Sequence, residues 1–187
     1  MARTLTHHIP LGFTAPPFEL PDVVSAKLTA FNDVKGEAGT VVVFMCNHCP
    51  FVVHILNRFI DVAHEYLPKG IGFVAISSND VVNYPADHPD KMRELALTMD
   101  FPFAYLYDED QSVARAYDAA CTPDFNVFDA DDRCVYRGQF DASRPGNDHP
   151  VTGADLAAVL DLLLRGAHPS PENQIPSMGC NIKWKSA

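Results

Sequence analysis

The chain has 187 residues, 47% of them hydrophobic and 20% charged, which suits one buried core better than two domains. Its formal net charge of -10 at pH 7 leaves no basic surface to neutralise phosphates, so nucleic acid and anionic membranes are disfavoured as partners. No apolar run has the length of a signal peptide core or a bilayer span, so the cytoplasm is the expected location.

In chain order, a Pro-rich opening from Pro10 to Pro21 comes first. The run Val41 to Met45 is continuously apolar, the pattern of a strand covered on both faces at the centre of a sheet. Val52, Ile55, Leu56, Phe59, Ala63 and Tyr66 then recur at helical spacing until Pro68-Lys69-Gly70 stops the pattern. Ile71 to Ile76 reads as the next buried strand. Met92, Leu95, Ala96 and Met99 mark an amphipathic helix that begins after His88-Pro89. Strand, helix and strand in this order imply a parallel pair with a right-handed crossover, and sites in such sheets gather at the carboxyl ends of the strands.

Phe103 to Tyr107 is a further short strand and Ser112 to Tyr117 a short helix. Phe125 to Phe128 and Cys134 to Phe140 flank the polar turn Asp129 to Arg133 as a hairpin, which makes the sheet mixed. A last helix is expected from Thr152, with Asp155 three residues on as a near capping box. It buries Leu156, Val159, Leu160 and Leu163 and ends at Gly166. Beyond it a Pro-rich tail holds Cys180. The expected organisation is one domain over residues 1–187, with a core over about 15–165 and a tail over 167–187.

Five cysteines are too few and too unevenly spaced for a disulfide scaffold, which leaves reactive or metal-binding roles. Cys46-Asn47-His48-Cys49 falls at the first strand-to-helix junction. Only a thiolate attacks a disulfide, so a redox cysteine needs a lowered pKa, partial exposure and a second thiol close by. With Cys46 at the helix cap, its sulfur would face unpaired backbone N–H groups and the positive end of the dipole, while Cys49 sits one turn away. Cys46 is then the nucleophile and Cys49 the resolver. A positive His48 imidazole between them would favour the anion further and make the pair more oxidising. The competing reading is half a zinc site completed by Cys180 and a histidine, although no second Cys-x-x-Cys is present to close it. The acids Asp108 to Asp110 and Asp131-Asp132 read as solvated turns rather than a calcium site.

These features together resemble the thioredoxin-like superfamily, in its redoxin and AhpC/TSA-like branch. Ala15-Pro16-Pro17-Phe18-Glu19-Leu20-Pro21-Asp22 is similar to that branch's leading segment, and Val41 to Pro50 to its strand, Cys-x-x-Cys and helix start. Cys121-Thr122-Pro123 is similar to its cis-proline loop, and Phe125 to Gly138 to its terminal hairpin. The tail Ser177 to Trp184 is similar to that of a bacterial subgroup. The resemblance implies a thioredoxin fold, an α/β architecture with a mixed central sheet flanked by helices. It also implies a cis peptide before Pro123, with the Thr122 backbone free to pair with an extended segment of a disulfide substrate.

There are departures. Met45 stands where thioredoxins carry Trp, and Asn47-His48 where they carry Gly-Pro. No acid lies between Thr40 and Met45, where thioredoxins keep a buried carboxylate. Val43 and Gly39 stand where peroxiredoxins have the threonine and proline that bind peroxide. The expected activity is therefore thiol-disulfide exchange at Cys46 and Cys49 with His48 assisting, and with Thr122 and Pro123 contacting substrate. Cys180 is a possible third redox thiol, Cys121 a buried thiol near the site, and Cys134 structural. The expected partners are protein or small-molecule disulfides and an external thiol or reductase. No cofactor or metal is required, and the protein would act as a monomer or homodimer. The rival readings are an atypical thiol peroxidase and a non-catalytic metal-binding or adaptor protein.

Overall fold

The computed structural model describes residues 3–186. Every residue from Gly39 to Phe44 is buried. Successive side chains of a strand leave opposite faces, so Val41 and Val43 enter one apolar cluster while Val42 and Phe44 enter another. In chain order the elements are β1 (Arg3–Leu5), β2 (Glu19–Pro21), β3 (Leu28–Ala30), α1 (Phe31–Val34), β4 (Gly39–Phe44), α2 (Pro50–Tyr66), β5 (Ile71–Ser77), α3 (Pro89–Thr98), β6 (Ala104–Tyr107), α4 (Ser112–Ala116), β7 (Cys121–Thr122), β8 (Asp124–Asp129), β9 (Cys134–Gly138), α5 (Ala154–Leu163) and β10 (Met178–Asn181).

Five strands form the central sheet in the order β6-β5-β4-β8-β9. β4, β5 and β6 are parallel, β8 is antiparallel to β4, and β9 is antiparallel to β8. Helices α2, α3 and α5 pack their apolar stripes on the Val41 and Val43 face. Phe31 of α1, Val113 and Ala114 of α4, and Ala15, Phe18 and Leu20 cover the other face. The expected mixed sheet between helical layers is thus present, with β4 at its centre.

Local chemistry accounts for the boundaries of α2. Pro50 occupies its first position, where a missing N–H costs nothing and a fixed φ is already helical. At the other end a 3-10 turn, Leu67–Lys69, leads into Gly70 at φ 94, a left-handed geometry that glycine takes without strain. The next strand then runs parallel beside β4.

Two local expectations are corrected. α5 starts at Ala154 rather than Thr152, and its cap residue is Gly153 at φ 69. Asp141 accepts from the Thr152 and Gly153 amides, at 2.7 Å each, and Asp155 instead accepts from the Gln139 side chain. A carboxylate from a distant loop has replaced the local capping box. Likewise Asp108 is not a solvated turn acid. It is buried and accepts from Ser78 Oγ at 2.7 Å and from the Val113 and Ala114 amides at 3.3 and 2.9 Å, which anchors the start of α4.

The two ends of the chain add a second sheet with order β1-β10-β7, all antiparallel. Neither β1 nor β10 was anticipated from periodicity. Among the described residues no helix is long and apolar enough to cross a membrane.

Candidate active site

Three chain segments meet at the carboxyl end of β4. The first is Met45 to Cys49, whose leading amide continues the sheet by donating to the Ile76 carbonyl oxygen at 2.9 Å. The second follows β5: because β5 lies parallel beside β4, its outgoing loop emerges next to the cysteines and ends in a 3-10 turn, Pro85–Asp87. The third is the Thr122–Pro123 peptide, which is cis and leads into β8, paired with β4 on the other side.

These segments enclose the thiol pair. Cys46 Sγ is 3.5 Å from Thr122 Oγ1 and 4.0 Å from His48 Nδ1. Cys49 Sγ lies 3.0 Å from the Thr122 carbonyl oxygen. Asp87, fully buried, accepts from the Asn47 amide at 2.8 Å and from Asn79 Nδ2 at 2.8 Å. It also pairs with His48 Nδ1 at 2.7 Å. The imidazole stacks on the Tyr84 ring at 5.7 Å, and Tyr105 Oη donates to Asn47 Oδ1 at 3.1 Å.

The two sulfurs are not equivalent. Interaction with Cys46 first, and then with Thr122, Cys180 and Val52, outweighs burial and holds Cys49 down to about 4. The same pairing, together with burial and the nearby Asp87 carboxylate, pushes Cys46 well above the usual thiol range. One ionisation is thus easy and the second is opposed, as in any pair of titrating groups that share a site. The Thr122 carbonyl oxygen beside Cys49 accepts from its thiol form and so works against the anion.

Several expectations change here. Cys49, not Cys46, is the cap residue of α2, because Pro50 fixes the first turn three residues later than the motif's leading cysteine suggests. The Cys49 side chain makes no capping hydrogen bond there. Partial exposure is also not found, since Cys46 is 1% and Cys49 0% exposed; Thr122, Asp87 and β10 close over them. The positive charge assigned to His48 is compensated by Asp87. Finally, the backbone edge at Thr122 is not open to substrate, because Thr122 is paired with Cys180 of β10. The peptide before Pro123 is cis, as the resemblance implies.

The remaining thiols divide by position. Cys180 is buried beside Cys49, and burial and Cys49 push its thiol up to about 12. Cys121 is buried with its thiol pushed up, first by burial and then by Asp124. Cys134 is buried in β9 and is likewise pushed up to about 12 by burial. The donor atoms of Cys46, His48 and Asp87 lie within 4.8 Å of one another, a spacing that would suit a cation. Here His48 Nδ1 and Asp87 Oδ2 face each other, and both Asp87 oxygens accept protein N–H groups. The group is a close imidazole–carboxylate contact beside a thiol.

Asp87 is the site residue that motif reading passed over. It supplies, from the loop after β5, the buried carboxylate whose absence between Thr40 and Met45 had stood out. A signal was present in Pro85-Ala86-Asp87-His88-Pro89, an acid in a proline-bounded turn just past a parallel strand, where sites gather.

A cysteine pair at a strand-to-helix junction, a cis-proline loop facing it and a mixed sheet between helical layers define a thioredoxin-like protein of the redoxin type. The AhpC/TSA family signature matches residues 11–138, and the chain belongs to that family. Among solved structures it is similar to an uncharacterized conserved protein from Geobacillus kaustophilus. That match has 53% identity and a TM-score of 0.97, covering 100% of this chain and 98% of that one. It shares its fold with peroxidoxin BcpB from Mycobacterium tuberculosis, at 20% identity and a TM-score of 0.63 over 87% of this chain and 100% of that one. A thiol:disulfide interchange protein of the thioredoxin family from Chlorobium tepidum shares it too, at 17% identity and a TM-score of 0.64 over 84% of this chain and 99% of that one. No curated protein sequence matches the chain.

Proposed function

We propose that the protein is a thiol-disulfide oxidoreductase working through Cys46 and Cys49. The observation that carries this reading is that both sulfurs are held against one residue at the carboxyl end of β4, Cys46 Sγ 3.5 Å from Thr122 Oγ1 and Cys49 Sγ 3.0 Å from the Thr122 carbonyl oxygen. Cys46 is the sulfur with neighbours at the rim: His48 and Tyr84 are 20% and 38% exposed respectively. Cys49 is walled in by Thr122, Cys180 and α2.

Proton transfer from Cys46 to Cys49 moves the anion to Cys46. That thiolate attacks a substrate disulfide, releases one substrate thiol and leaves a mixed disulfide on Cys46. Cys49 then gives up its proton and attacks Cys46, releasing the second substrate thiol and closing a Cys46–Cys49 bond. An external thiol returns the pair to the reduced state. Asp87 and Asn47 hold the backbone and the His48 ring in place around Cys46 throughout.

The thiol peroxidase reading has less support. Val43 is buried in the apolar cluster and Gly39 begins β4, so the hydroxyl and ring that would grip a peroxide are missing from those positions. The test is turnover of a small disulfide by purified variants. Cys46→Ser is expected to abolish reduction, and Cys49→Ser to accumulate a mixed disulfide at Cys46. Undiminished turnover by either would end this reading.

A further inference from the structure

Strand alternation settles which other thiol faces the pair. β10 lies opposite β7, with Cys180 paired to Thr122 and Asn181 to Cys121. Directly opposed residues send their side chains to the same face, and the next residue along sends its own to the other. Thr122 aims its hydroxyl at Cys46 Sγ, so Cys180 leaves its strand on the side of the cysteine pair. Cys121 leaves on the far side, where its sulfur meets Thr6 Oγ1 at 3.8 Å and the Pro123 carbonyl oxygen at 3.5 Å. Cys46, Cys49 and Cys180 share one apolar cluster.

The strand that presents Cys180 is fixed at both ends. The Thr6 amide donates to the Ser177 carbonyl oxygen at 2.9 Å and Ser177 Oγ to the Gly138 carbonyl oxygen at 2.6 Å. Past the strand, the Ile182 amide donates to the Ala120 carbonyl oxygen at 3.1 Å, and the Lys183 amide to Asn79 Oδ1 at 2.8 Å. Asn79 is also a donor to Asp87, so the tail and the Cys46 pocket share a support. Cys49 and Cys180 are buried in one cluster, so a thiol within the chain already stands beside Cys49.

We propose that Cys180 is the internal exchange partner of Cys49, an inference that rests on the redox reading of the pair. The Cys180 thiolate attacks Cys49 Sγ in the Cys46–Cys49 disulfide, the bond to Cys46 breaks, and a Cys49–Cys180 bond forms. The proton that Cys180 gives up ends on Cys46. One thiol and one disulfide enter and one of each leave, so the step needs no oxidant or reductant. Cys46 is thereby freed while the chain stays oxidised, and the external thiol already required for turnover reduces the second bond.

Limited oxidation of reduced full-length protein with diamide, followed by alkylation and peptide mass mapping without reduction, tests this. Wild type is expected to yield both Cys46–Cys49 and Cys49–Cys180 linked peptides, and folded Cys46→Ser to yield Cys49–Cys180 as its main linkage. Absence of that linkage from folded Cys46→Ser, or wild type giving Cys46–Cys49 alone, overturns the inference. Cys180→Ser and Cys180→Ala, two variants of different polarity at a buried position, are expected to lose the second linkage and keep the first. Failure of the Cys46–Cys49 bond to form in both would instead strike the redox reading beneath it.

Discussion

The interaction between Cys46 and Cys49, with burial and Asp87 adding to it at Cys46, pushes two chemically identical groups in opposite directions. For Cys49 the sign is clear. Its folded value, about 4, lies below that of an unfolded thiol. The ionisation therefore contributes stability that is fully present above the ordinary thiol range and is lost as pH falls toward the folded value. Cys46, pushed up, works against the folded state at alkaline pH. Thiolate ultraviolet absorbance of the reduced protein is expected to show one anion per chain at neutral pH that disappears only on acidification. It should be missing in Cys49→Ser and displaced upward in Cys46→Ala, which removes the strongest interaction on Cys49. A first thiolate that forms only near the ordinary value of about 8.5 would refute the assignment.

At the level of elements, the site depends on how closely β10 can approach β7. A side chain at Gly179 would place its Cβ 1.9 Å from the Thr122 carbonyl oxygen, a backbone atom with little room to retreat. Gly179→Ala is thus expected to destabilise the protein by about 1–3 kcal/mol through overpacking, read from the denaturant midpoint. An unchanged midpoint would mean that the two strands sit farther apart. β10 was the element least visible beforehand: it is only four residues long, follows a Pro-rich stretch and has no apolar periodicity. β4, α2, β5 and the β8–β9 hairpin were readable because each carries its own pattern over several residues. The start of α5 was misplaced by a residue or two because its capping acid, Asp141, belongs to another loop.

Seen across the whole molecule, both chain ends converge beside the thiols. β10 lies between β1 and β7, and Arg3 pairs with the same Cys180 that faces Thr122. Deleting the chain through Leu5 removes one of the two partners of β10 while leaving the five-stranded sheet intact. Hydrogen exchange is then expected to speed up at the β10 amides and stay slow in β4 and β5. Equal acceleration throughout would show that β1 supports the core rather than the tail.

The sequence alone determined what is local. An unbroken apolar run made β4 a strand buried on both faces, Pro50 and Gly70 bounded the helix after it, and the Cys-x-x-Cys marked the junction between them. The tertiary structure alone decided which groups act on those sulfurs. Asp87 reaches Asn47 across 40 residues of chain, and the Thr122 carbonyl meets Cys49 across 73. Such contacts follow from which strands lie side by side and in what register, and a periodicity read along one segment holds no record of that.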